Sequence, residues 1–288
     1  MDGIAAQYAG LGMVAISVDY RLSRDGTTPF DAVADARNAI RWVRQEAARL
    51  GVDPDKVAAL QEAAAGLPGL TVAGLDLSDL AGFRAGLEKL SAEVGGFDIV
   101  INNAGVVRSK LFWEHDPVAD TEFVVRVNVL GAMHVARAFL PAMIASGRES
   151  RLLNVASASG LLSVPRMSVY AASKWAMIGW SDSLRLELLR AGHRHVRVTT
   201  LIPSYITTGM FAGARAPLLT PLLEPAYVVD KAWAAMKRGK PRLMLPWTVA
   251  LSAALRGLLP VPVWDWLAGR VFKVYSSMDH FTGRPGKP

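Results

Sequence analysis

The apolar positions of this chain fall into short continuous runs separated by longer stretches of helical periodicity. Met13 to Asp19 (MVAISVD), Leu70 to Leu75, Phe97 to Ile101, Arg151 to Ala156, Val196 to Ile202 and Arg242 to Leu245 read as strands. Runs that are apolar throughout, rather than alternating, suit parallel strands covered on both faces. Between them, Val33, Ile40, Val43, Ala47 and Leu50 recur at helical spacing, and Gly51 stops that helix. Val57 to Leu60 is either a short strand or the start of a helix that runs to about Gly66. Leu80, Phe83, Leu87, Leu90 and Val94 form the stripe of another helix, capped by Ser78 or Asp79. Further helices are predicted over about 119–146, 168–191 and 226–238. Strands and helices that alternate in this way predict an α/β fold, a mostly parallel sheet with helices on both faces.

Composition narrows the class. The chain has 288 residues, 51% hydrophobic and 20% charged, which excludes a disordered chain and a fibrous or coiled-coil filament. It has no cysteine, so disulfides, thiolate metal sites and a cysteine nucleophile are excluded, and a cytoplasmic setting is expected. The net charge is +7, but the basic residues are scattered and form no long run, so no nucleic-acid partner is expected. Met1-Asp2-Gly3 opens acidic, with no basic segment ahead of an apolar run, so no secretory signal is expected. The most apolar stretch, Pro246 to Phe272, is interrupted by Arg256, Pro260, Pro262, Asp265 and Arg270. It predicts an amphipathic cover, a dimer surface or a peripheral membrane contact through 247–275 rather than a spanning helix.

The candidate chemistry lies in Tyr170-Ala171-Ala172-Ser173-Lys174. Tyr170 and Lys174 are one helical turn apart and project from one face. A lysine ammonium close to a phenol favours the phenolate and lowers its pKa, which would make Tyr170 an acid/base near neutrality. Alone, the pair is equally an exposed i, i+4 contact. Its context adds weight. Asn154-Val155-Ala156-Ser157 ends a predicted strand thirteen residues before Tyr170, and Asn102-Asn103-Ala104-Gly105 ends another. Strand ends are where α/β sheets place ligands. Asn128 lies in a further helix, in RVNVLG.

Together Asn128, Ser157, Tyr170 and Lys174 resemble the short-chain dehydrogenase/reductase family, over roughly 56–284. Leu75-Asp76-Leu77-Ser78, Pro203-Ser204-Tyr205-Ile206-Thr207-Thr208 and the tail Ser277 to Arg284 support the resemblance. It implies a Rossmann-like fold and an NAD(P)-dependent oxidoreductase that interconverts a carbonyl and an alcohol. By the same resemblance Tyr170 would manage the proton at the substrate oxygen. Lys174 would hold the nicotinamide ribose, Ser157 would polarise the carbonyl, and Asn128 would anchor a water. Asp76 would face the adenine, Asn102, Ala104 and Gly105 would line the adenosine, and Ile206 and Thr208 would meet the carboxamide. NAD or NADP is the expected cofactor, with no preference readable. A homo-dimer or tetramer is expected, because the helices over 119–146 and 168–191 often pair in that family. Pro203-Ser204 stands where the family usually has PG.

The front of the chain departs from the family. No TGxxxGxG string occurs; the nearest, Gly10-Leu11-Gly12, precedes its strand instead of following it. Residues about 8–59, GMVAISVDYRLS and then PFDAVADARNAIRWVRQEAARLGVDPDKVAA, resemble an internal piece of an α/β-hydrolase of the esterase/lipase kind, without GxSxG or HGGG. The chain therefore reads as a fusion, with a 1–58 hydrolase-like fragment replacing the first βαβ unit and 59–288 the reductase-like remainder, packed as one domain. Weakened dinucleotide binding is expected. Two alternatives stand beside the oxidoreductase: a cofactor-independent esterase using Ser157, Tyr170 and Lys174 on a small apolar ester, and a catalytically idle protein. His193 and His195 read as a surface turn rather than a metal site, His134 as packing or a dimer contact, and Trp175 and Trp180 as helix packing.

Overall fold

The computed structural model describes residues 75–283, apart from Asp76, Ser78, Gly95 and Gly209. The predicted strand over 13–19, the helix after it, the 57–60 segment, most of the 70–75 strand, the boundary at 58/59, Asp76 and Arg284 lie outside the described residues.

Four strands, β1 (Ile99–Asn102), β2 (Ser150–Val155), β3 (Val196–Pro203) and β4 (Arg242–Leu245), form one parallel sheet in the order β1-β2-β3-β4. The four strands predicted wholly within the described residues are present, β4 at its predicted bounds and the other three within one or two residues of theirs. The continuous apolar runs follow from the register. Val100, Leu152 and Val198 align across the sheet and face one core, with Phe83, Leu87, Val124 and Phe139. One residue further along each strand, Ile101 and Leu153 face the opposite core, with Val228, Val229 and Met236. Both strand faces are covered, so both must be apolar.

The first core is closed by three helices. In α1 (Leu80–Val94) Phe83, Leu87 and Leu90 are buried, as their spacing predicts. Asp79 caps it, its carboxylate accepting from the Ala81 N–H at 3.0 Å and its carbonyl from the Phe83 N–H at 2.9 Å. The helical run α2 (Pro117–Ala145) begins with Asp116 accepting from the Val118 and Ala119 N–H groups and Pro117 at the first position. It is long and apolar enough to cross a membrane by length and composition, but it is a core helix here, with Val124, Val127, Val135 and Phe139 packed on the sheet. It widens to π geometry over Arg126–Gly131. The third helix is α3 (Ser168–Arg190). The second core is closed by α4 (Pro225–Lys237). Beyond β4, α5 (Trp247–Leu258) and α6 (Val261–Trp266) cover a third cluster around Met167, Tyr170, Tyr205 and Trp264. The apolar stretch over 246–272 thus covers this cluster, the first of the three roles its broken pattern allows.

Candidate active site

The carboxyl ends of β1, β2 and β3 carry the polar residues. Asn102 and Asn154 are register partners at the ends of β1 and β2. The Asn102 Nδ2 donates to Asn154 Oδ1 at 2.9 Å and to the Ala132 carbonyl at 3.2 Å, and Asn154 Nδ2 donates to Ser181 Oγ at 2.8 Å. This buried ladder pins the strand ends to α2 and α3.

Asn128 sits in the widened turn of α2. Its Oδ1 accepts from the Val106 N–H at 2.8 Å, and its Nδ2 donates to the Val106 carbonyl at 2.9 Å and to Ser173 Oγ at 2.9 Å. One side chain therefore holds the segment after β1 and the site helix α3 together. A π turn re-aims a residue that a regular helix would carry elsewhere, and such turns concentrate at functional sites.

Ser157 follows β2 and caps the short turn Ala158–Gly160, its Oγ accepting from the Ser159 N–H at 3.2 Å. Gly160 lets this turn approach α3: a Cβ there would lie 2.7 Å from the Lys174 carbonyl oxygen and 2.7 Å from Ile178 Cδ1. Nothing in the one-dimensional pattern marks Gly160, Ser173 or the Val155 carbonyl as site components, since all three act through close tertiary approach.

Tyr170 and Lys174 are both buried, each 4% exposed, which excludes the exposed-pair reading. The Lys174 Nζ donates to the Val155 carbonyl at 3.0 Å and lies 5.7 Å from the Tyr170 ring centroid. Gly105 flanks it: a Cβ there would lie 3.4 Å from Nζ and 3.6 Å from Asn128 Oδ1. The electrostatics differ from the expectation of a phenol sharpened by its lysine. Burial is the largest influence on Tyr170 and raises its pKa well above the ordinary phenol value. The Ser157 side-chain hydrogen bond pulls it down, and the neighbouring Tyr205 raises it further. Burial also pushes Lys174 down to about 8. The phenol is therefore protonated at neutral pH, its desolvation outweighing the Ser157 hydrogen bond.

Two cavities adjoin these residues. A cleft of about 830 Å³, counting its open mouth, is lined by Ser157, Leu162, Tyr205, Phe211, Leu255 and Phe272 among others. Phe211 meets both the Tyr170 and the Tyr205 ring edge-on, at 6.0 and 5.2 Å, and Tyr205 Oη is 2.8 Å from Ser277 Oγ. Tyr205 lines the cleft, and the sequence gives it no role beyond its place in the Pro203 to Thr208 string. A smaller cavity of about 300 Å³ is lined by Asn102, Asn103, Ala104, Gly131 and Ala132 with apolar neighbours. Asn102, Ala104 and Gly105 thus adjoin either a cavity or the Lys174–Asn128 pair. Ile206 and Thr208 lie on the segment leaving β3, where Ile206 bridges Leu223 and packs in the second core, and the Thr208 N–H donates to the Ile206 carbonyl at 2.8 Å. Elsewhere, the His193 and His195 rings meet edge-on at 6.0 Å in the turn before β3. Trp180 packs in the core, and Trp175 lies under the Arg256 guanidinium at 4.7 Å.

A parallel α/β sheet whose carboxyl edge gathers a serine, a tyrosine and a buried lysine beside an apolar cleft defines a Rossmann-like protein with a polar site at that edge. The chain belongs to the short chain dehydrogenase family, which it matches over residues 39–218. That match begins ahead of residue 56, inside the segment likened above to a hydrolase. Mouse epidermal retinol dehydrogenase 2 is 32% identical over 203 residues, 69% of this chain and 64% of that protein. Estradiol 17-beta-dehydrogenase 11 of Pongo abelii is 34% identical over 187 residues, 65% of this chain and 61% of that protein. The chain thus spans a little over three-fifths of the length of these relatives. Among solved structures, a short chain dehydrogenase from Burkholderia cenocepacia in complex with NADP aligns with TM-score 0.57 and 26% identity, covering 67% of this chain and 76% of that one. One from Sphingobium yanoikuyae in complex with NADPH aligns with TM-score 0.53 and 28% identity, covering 64% and 72%.

Proposed function

We propose that this protein is an NAD(P)-dependent oxidoreductase that interconverts an apolar ketone or aldehyde and the corresponding alcohol. The observation that carries the reading is the convergence of Ser157, Tyr170 and Lys174 at one strand edge, with Tyr170 held protonated by burial. Bound NAD(P)H would supply a hydride to the carbonyl carbon. The residues present fit the nicotinamide end of such a cofactor. Lys174 commits one of three N–H donors to Val155, and the space beside it is the space a Cβ on Gly105 would fill. Asn102, Ala104 and Gly105 border the adjoining ground for the adenosine, and Ile206 and Thr208 the carboxamide side; Asp76 is assigned to the adenine by resemblance alone. The absence of a TGxxxGxG string supports weakened binding of the pyrophosphate.

The chain's own chemistry is proton management. Ser157 donates to the carbonyl oxygen and fixes its position. Tyr170 gives its proton to the oxygen as negative charge develops there, because even a phenol raised by burial is a stronger acid than an alcohol. Lys174 keeps a positive charge near the resulting phenolate, and Asn128 holds the turn that positions Val106, Ser173 and an ordered water. The cleft walls, Leu162, Phe211, Leu255 and Phe272, are apolar and select an apolar substrate. The mammalian relatives named for retinol and estradiol agree with that class. A homo-dimer or tetramer and a cytoplasmic site with contact to membrane through 247–275 complete the reading.

Hydrolysis is the weaker reading. Ser157 as nucleophile needs a base, and burial keeps Tyr170 from ionising near neutrality. The test is oxidation of NAD(P)H, followed by absorbance, against a panel of ketones, beside cofactor-free cleavage of a p-nitrophenyl ester. Turnover of a ketone that Tyr170→Phe lowers by about a thousandfold is expected. Undiminished turnover in Tyr170→Phe overturns the assignment, ester cleavage lost in Ser157→Ala establishes the hydrolase, and silence in both assays establishes an idle protein.

A further inference from the structure

The cleft has an apolar doorway. Leu218, Leu219, Trp247 and Leu251 line it and are also exposed, Trp247 at 71% and Leu219 at 67%. The pattern continues along α5. Trp247, Leu251, Ala254 and Leu258 are exposed and fall at spacings of four, three and four residues, one stripe of the helix. On other faces of α5, Thr248 and Val249 are buried and Leu255 lines the cleft. A surface helix ordinarily turns a polar face to water; this one is apolar both toward the cleft and toward solvent. On α6, Val261, Val263 and Trp266 are exposed around the buried Trp264.

Cations flank the doorway. The Leu218 N–H donates to the Phe272 carbonyl at 2.9 Å and the Arg215 N–H to the Ser277 carbonyl at 2.8 Å. These bonds tie the doorway loop to the segment that carries Arg270 and Lys273. Arg215, Arg270 and Lys273 are all exposed. Two exposed acids share this segment, Asp265, which accepts from the Tyr275 hydroxyl, and Asp279, and the three cations outnumber them.

We propose that the doorway rests on an anionic phospholipid surface. Leu219, Trp247, Leu251 and Leu258 enter the interfacial layer, and Arg215, Arg270 and Lys273 lie over the headgroups. An apolar substrate then passes from lipid into the cleft without crossing water; this last clause rests on the oxidoreductase reading, whereas the docking itself does not. A second copy fits the same face poorly. A two-fold contact sets each patch against itself, so the three cations of one copy meet those of the other and both doorways close.

The test uses the full chain and flotation with vesicles of phosphatidylcholine alone or mixed with phosphatidylserine. Binding to the mixed vesicles is expected to be about tenfold tighter or more, and to weaken with salt. Arg270→Glu/Lys273→Glu is expected to remove that preference while turnover of a short, water-soluble ketone is unchanged. Leu219→Ser/Trp247→Ser is expected to lower binding to both vesicle types. Where that variant does not fold, Trp247→Phe replaces it: the blue shift of tryptophan fluorescence on vesicles should shrink. Absence of binding to either vesicle overturns the proposal. So does a lipid-free dimer in sedimentation that Arg270→Glu/Lys273→Glu strengthens or Trp247→Phe dissolves, which makes the doorway a contact between copies. Vesicle binding without any ketone turnover leaves the docking standing and overturns the oxidoreductase reading.

Discussion

At the scale of single residues, the site turns on what burial does to two titratable groups. The spacing of Tyr170 and Lys174 is legible in the sequence, and so is the strand end that brings Ser157 to them. Their depth is not, because it depends on Phe211, Tyr205 and α6, which pack over the site from distant parts of the chain. Depth decides the sign: desolvation raises Tyr170 and pushes Lys174 down to about 8. A measurable consequence follows for Lys174. Its ordinary value is 10.5, so between pH 8 and 10 the unfolded chain holds a proton there that the folded chain has released. Stability must then rise with pH across that window, by up to about 3 kcal/mol at about 1.4 kcal/mol per unit. Above pH 10 Tyr170 acts in the opposite direction, since the unfolded phenol ionises first. Urea unfolding of wild type and Lys174→Met at pH 7 and pH 10 checks this: the wild type should gain relative to the variant, and parallel curves would remove the desolvated lysine.

At the scale of elements, two glycines separate fold from chemistry. Gly160 lies in the turn that Ser157 caps, and a Cβ there meets the backbone of α3 at 2.7 Å. Backbone in a helix centre cannot give way as a side-chain tip can. Gly160→Ala is expected to cost about 1–3 kcal/mol and to displace Ser157, so both the urea midpoint and turnover fall. Gly105→Ala puts its methyl 3.4 Å from Lys174 Nζ, an ordinary contact distance, at a position without positive φ. Its midpoint should hold, or rise by up to about 1 kcal/mol, while dinucleotide-dependent turnover falls. Equal loss of stability in both variants would refute the division. The helices and strands around these glycines are legible because both-face burial and helical periodicity leave plain patterns. The widened turn at Asn128 is not, since it answers to the Val106 backbone and Ser173, 22 and 45 residues away in the chain.

At the scale of the whole molecule, the proposed dinucleotide site has two ends built from different parts of the chain. Under the proposed function Lys174 would hold the nicotinamide ribose, and among the described residues it meets Gly105, Asn128 and the Val155 carbonyl. The pyrophosphate end normally draws its N–H donors from a glycine-rich turn at a helix N-terminus, and the sequence contains no TGxxxGxG string. Bulky side chains keep a backbone from approaching phosphate oxygens, so removing the glycines removes several charge-assisted hydrogen bonds at once. The expected result is binding that is weak but retained. A ligand at its own Kd adds about 0.4 kcal/mol to stability, and one at a thousandfold excess about 4 kcal/mol. For a protein of this size these amount to roughly 1–2 °C and roughly 10 °C in Tm. Thermal unfolding with about 1 mM NAD or NADP should therefore move Tm by no more than a few degrees. A shift near 10 °C would mean that the segment ahead of residue 75 supplies phosphate donors as effective as the glycine turn, and that the front of the chain, whatever its resemblance to a hydrolase, is a working half of the dinucleotide site.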